Sequence, residues 1–212
     1  MAHDFRVLSS ELLLDAPIIS VRKDELSMPD DQVAFREVVE HLGAVAVVAV
    51  NSDRKIAMVN QYRHSVKRRL WELPAGLLDV KDESEIAGAK RELVEEAGLE
   101  AASWSVLTDI VTSPGFCEEA ARVYLAQDLT EVERPAAFGD EEADMEFSWV
   151  GLDEAVQKVL AGDINNSIAV AGILAAQQVL SGNGTARDVS EPFDLRPQSI
   201  ARRRQGPDLK KS

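Results

Sequence analysis

The sequence predicts an α/β fold, an α/β/α sandwich around a mixed sheet preceded by a small antiparallel sheet. Three observations lead there. Short runs alternating polar and apolar residues fill positions 5 to 39, and runs typical of buried strands then intersperse with helical patterns. The 212 residues are 45% apolar, enough to bury one good core.

The elements follow in order. Phe5 to Val39 reads as the antiparallel sheet, with a turn near Met28-Pro29-Asp30-Asp31. Gly43 to Val50 is a strand of small and β-branched residues, and Lys55 to Tyr62 is expected as its hairpin partner across Asn51-Ser52-Asp53. Leu70 to Leu73 is a short strand leading into a loop and a helix. Ser103 to Val111, Ala120 to Ala126 and Met145 to Val150 complete the mixed sheet, while Leu152 to Ala161 and Ile168 to Leu180 read as amphipathic helices. Trp71 and Trp149 are read as core residues. From Ser181 to Ser212 the composition changes: seven Arg and Lys stand against four Asp and Glu, with Gly and Pro scattered between them, so a mobile basic tail is expected. Arg202-Arg203-Arg204 reads as a solvated charge run or a docking patch.

Composition excludes several function classes. A formal net charge of −14 argues against nucleic acid or anionic membrane as the main partner, since both are polyanions. The longest apolar run, Ala44 to Val50, is far too short to span a bilayer, and Met1 to Ser10 carries no secretory pattern. Cys117 is the single cysteine, which forbids an internal disulfide and predicts a reducing, cytoplasmic setting. His3, His41 and His64 are too scattered for a zinc spacing or a nucleophile-base pair, and none is given a catalytic role.

The helix after the short strand is the most informative segment. Ser84 suits an N-cap, Glu85 the positive end of the dipole and Gly98 the left-handed terminator, so the helix should run from Ser84 to Ala97. At helical spacing Glu85, Glu92, Glu95 and Glu96 share an arc about 100° wide, opposite Ile86, Leu93, Val94 and Ala97. Like charges at these spacings each cost a few tenths of a kcal/mol, and a divalent cation reverses the sign. Hard oxygen donors suit Mg²⁺ or Mn²⁺ rather than zinc. Gly88, on the same edge, would leave room for a ligand, and Arg91 is placed to hold Glu95. A solvated acidic face is the alternative. A diphosphate approaching so acidic a protein would itself need bound cations.

Gly76 stands seven residues ahead of Glu83, which stands eight ahead of Arg91-Glu92-Leu93, followed by Glu95-Glu96-Ala97-Gly98-Leu99. This resembles the Nudix box, the loop-helix signature of enzymes that hydrolyse a nucleoside diphosphate linked to another group. The loop between Leu77 and Asp82 carries one residue more than the usual box. Trp71-Glu72-Leu73-Pro74-Ala75-Gly76, Gln61-Tyr62-Arg63-His64 and Ser113-Pro114-Gly115-Phe116 extend the likeness to the bacterial ADP-ribose pyrophosphatases. In that group a proline sixteen residues past the last box glycine marks the substrate, as Pro114 is past Gly98. The likeness runs from about Arg6 to about Leu180, dividing the chain into an N-terminal sheet (1–40), a Nudix hydrolase domain (41–180) and the tail (181–212).

The resemblance implies the site. Glu92 and Glu96 would bind the metal ions, Mg²⁺ or Mn²⁺, with Glu95 assisting and the main-chain carbonyl of Ala75 completing the shell. Glu142, with Glu141 as runner-up, would act as catalytic base or added metal ligand. Arg63 would reach the phosphates, Glu119 the terminal ribose or its phosphate, and Arg36 and Glu37 would contact the adenine from a second subunit. A homodimer with exchanged N-terminal sheets is therefore implied. The expected reaction is hydrolysis of ADP-ribose to AMP and ribose 5-phosphate. Its rivals are a sibling activity on another nucleoside diphosphate sugar or an oxidised nucleotide, and a non-catalytic module that senses ADP-ribose.

Overall fold

The computed structural model describes residues 3–135 and 144–210. Strands β1 (Val7–Asp15), β2 (Ile19–Ser27) and β3 (Val33–His41) form an antiparallel sheet in that order, with a short 3-10 turn at Pro29–Asp31. Every residue of β1 is exposed. The remaining strands divide into two sheets. One is mixed, in the order β7 (Ala75–Leu77), β4 (Ala44–Ala49), β9 (Ala120–Glu131), β8 (Leu99–Val111), with β4 and β9 parallel. The other is antiparallel, β10 (Glu146–Gly151), β5 (Lys55–Arg63), β6 (Arg68–Glu72).

The hairpin expected between β4 and β5 is not formed. They share a single bridge, Val50 to Ile56, and β5 instead pairs with β6 and β10. The reason is that β4 has only two edges. One is taken along its length by β9, the other by β7 over Ala44 to Ala46 and then by the Pro74 carbonyl, which accepts from Val47 N–H at 2.9 Å.

Strand β4 is buried on both faces, and its alternation sorts the core into two layers. Val45, Val47 and Ala49 pack with Ala89 and Leu93 of α1 (Glu85–Ala97), whereas Ala46 and Val48 pack with Ala169 and Ile173 of α3 (Ser167–Leu180). Helix α2 (Leu152–Ala161) lies against α3. The α/β/α sandwich is thus present, with a second sheet inside it.

Caps set the helix ends. The Ser84 hydroxyl accepts from Ala87 N–H at 3.3 Å, and Gly98, at φ 64°, closes α1 in the left-handed conformation where a side chain is strained. Asn166 caps α3 by accepting from Ala169 N–H at 3.0 Å.

The segment from 181 to 210 corrects the expectation of a mobile tail. Ile200, on the short helix α4 (Ser199–Arg203), is fully buried, as are Leu209 and nearly so Phe193. Arg204 is buried too, donating to the carbonyls of Pro17 (2.6 Å), Ala16 (2.5 Å) and Leu209 (2.6 Å) and to the Asp15 carboxylate (2.7 Å). Earlier in the segment, the carbonyls of Glu191 and Pro192 accept from Arg122 at 2.6 and 2.8 Å. Average composition hid this, because a few well-spaced apolar residues and carbonyls anchor a polar stretch. Among the described residues no helix is long and apolar enough to cross a membrane.

Candidate active site

Strand β7 and helix α1 meet where the sequence motif predicts. Glu96 accepts from the backbone N–H of Ala75 through Oε2 at 2.9 Å, fixing the end of the strand against the helix. One turn earlier the Glu92 carboxylate lies so close to Gly76 that a Cβ there would stand 2.0 Å from it. Only glycine leaves space at this position, and what fills that space is a carboxylate.

Arg91 organises the acids. Its guanidinium reaches Glu92 at 2.6 Å, Glu95 at 3.0 Å and both oxygens of Glu83 at 3.2 Å, with Asp79 at 3.8 Å. Burial works against the guanidinium charge, but these carboxylates outweigh it and raise its pKa. Burial dominates at Glu92 and holds its carboxyl above the usual range, although Arg91 pulls the other way. Two features of the acidic edge differ from expectation. Gly88 is buried beside Glu83 Oε2, 3.0 Å from where a Cβ would lie, so it accommodates packing rather than a ligand. Glu85 is engaged by Arg196 at 2.9 Å and stands apart from the other three.

Among the described residues no three Asp, Glu, His or Cys side chains converge closely enough to hold a metal by themselves. The donor set nonetheless fits Mg²⁺ or Mn²⁺, because such ions are commonly held by one or two carboxylates together with waters and substrate phosphates. The cradle at Gly76 supports this fit, because the missing Cβ lets the Glu92 carboxylate lie against the backbone of β7.

A cavity of about 870 Å³ opens beside this edge. Ala75, Gly76 and Glu96 line it, and so do Arg63 and Glu119. Arg63 is anchored by a two-pronged pair with buried Glu72, at 2.7 and 2.9 Å, a geometry that presents a guanidinium in one orientation. Glu119 accepts from the Thr112 hydroxyl at 2.6 Å. Arg36 and Glu37, on β3, are exposed and do not line the cavity of their own chain. Glu141 and Glu142 lie outside the described residues.

Sequence reasoning missed two groups. His41 lines the same cavity, 3.6 Å from Glu119; burial depresses its pKa against the pull of Glu119 and Glu118, and Nδ1 accepts from Gly43 N–H at 3.2 Å. Its position at the end of an N-terminal strand gave no local signal. Asp79, buried beside Arg91, was hidden inside the lengthened box loop. At the end of that loop Asp82 turns the chain at φ 62°.

Comparisons with known proteins accord with this geometry. The NUDIX domain model matches residues 40–169. An ADP-ribose pyrophosphatase of Mycobacterium tuberculosis is 50% identical over 202 residues, 95% of this chain and 97% of that protein, so the similarity reaches into the segment after Leu180. An ADP-ribose pyrophosphatase of Bacillus subtilis is 35% identical over 75% of this chain and 85% of its own length, and the methanol dehydrogenase activator of Bacillus methanolicus is 34% identical over 79% and 90%. A crystal structure of an ADP compounds hydrolase superposes with a TM-score of 0.74 at 22% identity, covering 87% of this chain and 98% of that one, and carries the same fold. A match across most of the core, together with a relative that shares half its residues along nearly the whole length, establishes that this chain belongs to the Nudix family.

Proposed function

We propose that the protein hydrolyses the diphosphate bond of ADP-ribose, giving AMP and ribose 5-phosphate. The observation that carries this reading is the shared cavity in which Glu96 and Gly76 of the box face the same space as Arg63 and Glu119. An acidic edge beside an anchored arginine suits a substrate whose diphosphate needs positive charge on all sides. The names of two relatives support the choice of substrate.

Glu92 and Glu96, assisted by Glu95 and the Ala75 carbonyl, would hold Mg²⁺ or Mn²⁺. When bound, such ions neutralise phosphate oxygens and polarise the phosphorus toward attack. Arg63 orients the diphosphate with its Glu72-fixed guanidinium, and Glu119 accepts from ribose hydroxyls. Glu142 takes the proton of the attacking water.

The working form is a homodimer in which each N-terminal sheet covers the partner and offers Arg36 and Glu37 to its cavity. The apolar residues exposed on that sheet, among them Val7, Leu13 and Phe35, support a protein surface as their cover. The single cysteine suits a cytoplasmic setting.

Incubating the purified protein with Mg²⁺ and ADP-ribose, ADP-glucose, NADH or GDP-mannose, and identifying the products, tests the assignment. AMP and ribose 5-phosphate formed preferentially from ADP-ribose support it, whereas preference for another substrate, or no turnover, overturns it.

A further inference from the structure

The segment after α4 runs as a strap across the box loop, and its contacts converge on one buried acid. Leu209 N–H donates to the Asp79 carbonyl at 2.7 Å, Lys81 N–H to the Pro207 carbonyl at 3.0 Å, and Val80 bridges Asp208. The Lys210 ammonium then lies 2.5 Å from Asp79 Oδ2. On its other side Asp79 faces Arg91, at 3.8 Å, and Arg91 is the group that holds Glu92 and Glu95. The strap has a fixed base: Arg204 grips the Leu209 carbonyl while donating to the β1–β2 turn at Asp15, Ala16 and Pro17.

Two cations therefore share one acid. Asp79 is 7% exposed and must be neutralised by whatever is near. With Lys210 in place, it has a cation at direct contact and leaves Arg91 to the glutamates. Without Lys210, the cation left beside Asp79 is Arg91, 3.8 Å away, and the carboxylate draws that guanidinium from Glu92 and Glu95, which lose the donor that orients them. Arg91 is one step removed from the metal those carboxylates would hold, and partners at that distance tune metal affinity strongly.

We infer that Lys210 is a positioning residue: by neutralising Asp79 it keeps Arg91 on Glu92 and Glu95, so the C-terminal strap sets the geometry of the metal-binding edge. The inference rests on the proposed metal role of Glu92, and it makes the strap part of the site rather than an appendage.

The test uses the full chain with Lys210→Met, which keeps the stem and removes the charge. Mn²⁺ binding without substrate is followed by electron paramagnetic resonance, alongside thermal unfolding and kcat and KM. The expected result is that half-saturating Mn²⁺ rises about fivefold, less than the roughly 10–100-fold typical of groups bonded directly to a metal ligand, because Lys210 acts through Asp79 and Arg91, while KM for ADP-ribose stays within about twofold. Lys210→Arg restores the wild-type value. In an Asp79→Asn background Lys210→Met has no further effect, because the competing charge is gone. Unchanged Mn²⁺ binding, an equal effect in the Asp79→Asn background, or a shift that only tracks lost folded protein overturns the inference. Because binding is read without substrate, a protein that binds Mn²⁺ yet does not hydrolyse ADP-ribose overturns the functional assignment alone; failure to bind Mn²⁺ at all removes both.

Discussion

Gly76 and Glu92 occupy one space: the carboxylate sits 2.0 Å from where a Cβ on residue 76 would be, and glycine is the residue that permits it. Gly76→Ala should therefore displace Glu92 without unfolding β7, whose pairing to β4 uses backbone groups alone. Turnover should fall by about 100-fold, the effect expected of a displacement near 1 Å at a reacting centre, with an unchanged circular dichroism spectrum. Steady-state kinetics at saturating Mg²⁺ check this, and activity within a few-fold of wild type counts against the cradle.

Burial raises the Glu92 pKa, so the folded protein holds this proton more tightly than the unfolded chain does. Ionising the group as pH rises past the unfolded value of 4.5 thus subtracts stability. Glu92→Gln should abolish most turnover while leaving the metal-free melting temperature at pH 7 no lower than wild type, as calorimetry would show. In the wild type, Mn²⁺ binding should fade on the acid side at a higher pH than an ordinary glutamate would give. A titration of binding against pH reads the difference.

Glu142→Gln should lower kcat far more than it raises KM, because a base acts on the water in the transition state and adds little to ground-state binding. The opposite pattern would make Glu142 a binding residue. Single-turnover kinetics separate the two.

Asp109 holds buried Arg122 at 2.7 and 3.0 Å and also pairs with Arg187 at 2.9 Å. Burial pushes the Asp109 carboxyl up, but the two guanidiniums more than reverse it and leave its pKa low. Its stabilising contribution is therefore present above the unfolded value of 3.8 and disappears as pH falls through the lower folded one. Asp109→Ala leaves Arg122 without its carboxylate and should cost about 3–5 kcal/mol at pH 7. The deficit relative to wild type should shrink in strong acid, which urea unfolding at several pH values measures.

Phe35→Asp places a charge on an exposed apolar position of the N-terminal sheet. Light scattering should show the dimer giving way to monomer, and activity should fall with it as Arg36 and Glu37 of the other subunit are lost. A dimer that survives unchanged, with full activity, would remove the exchanged sheet from the reading.

The box was legible because its chemistry is local: a cap, a terminator and acids at fixed helical spacing all lie within one helix and its loop. The strand pairing was less so. The strand expected over Lys55 to Tyr62 is present as β5, but its neighbours depend on which edges of β4 remain open, and Pro74 and β9 take them from far along the chain. The tail was misjudged for the same reason. Arg204 finds its carbonyls at residues 16 and 17, a relationship that no window of sequence contains.

The sequence by itself determined the layered α/β class, the box helix with its caps, and the family, because periodicity, capping and motif spacing are properties of neighbouring residues. Tertiary structure alone decided that the strands split between two sheets, that His41 and Asp79 stand at the site, and that the final segment braces the box loop. Those outcomes depend on which buried charges and open strand edges meet in space, and partners as many as 189 residues apart satisfy them.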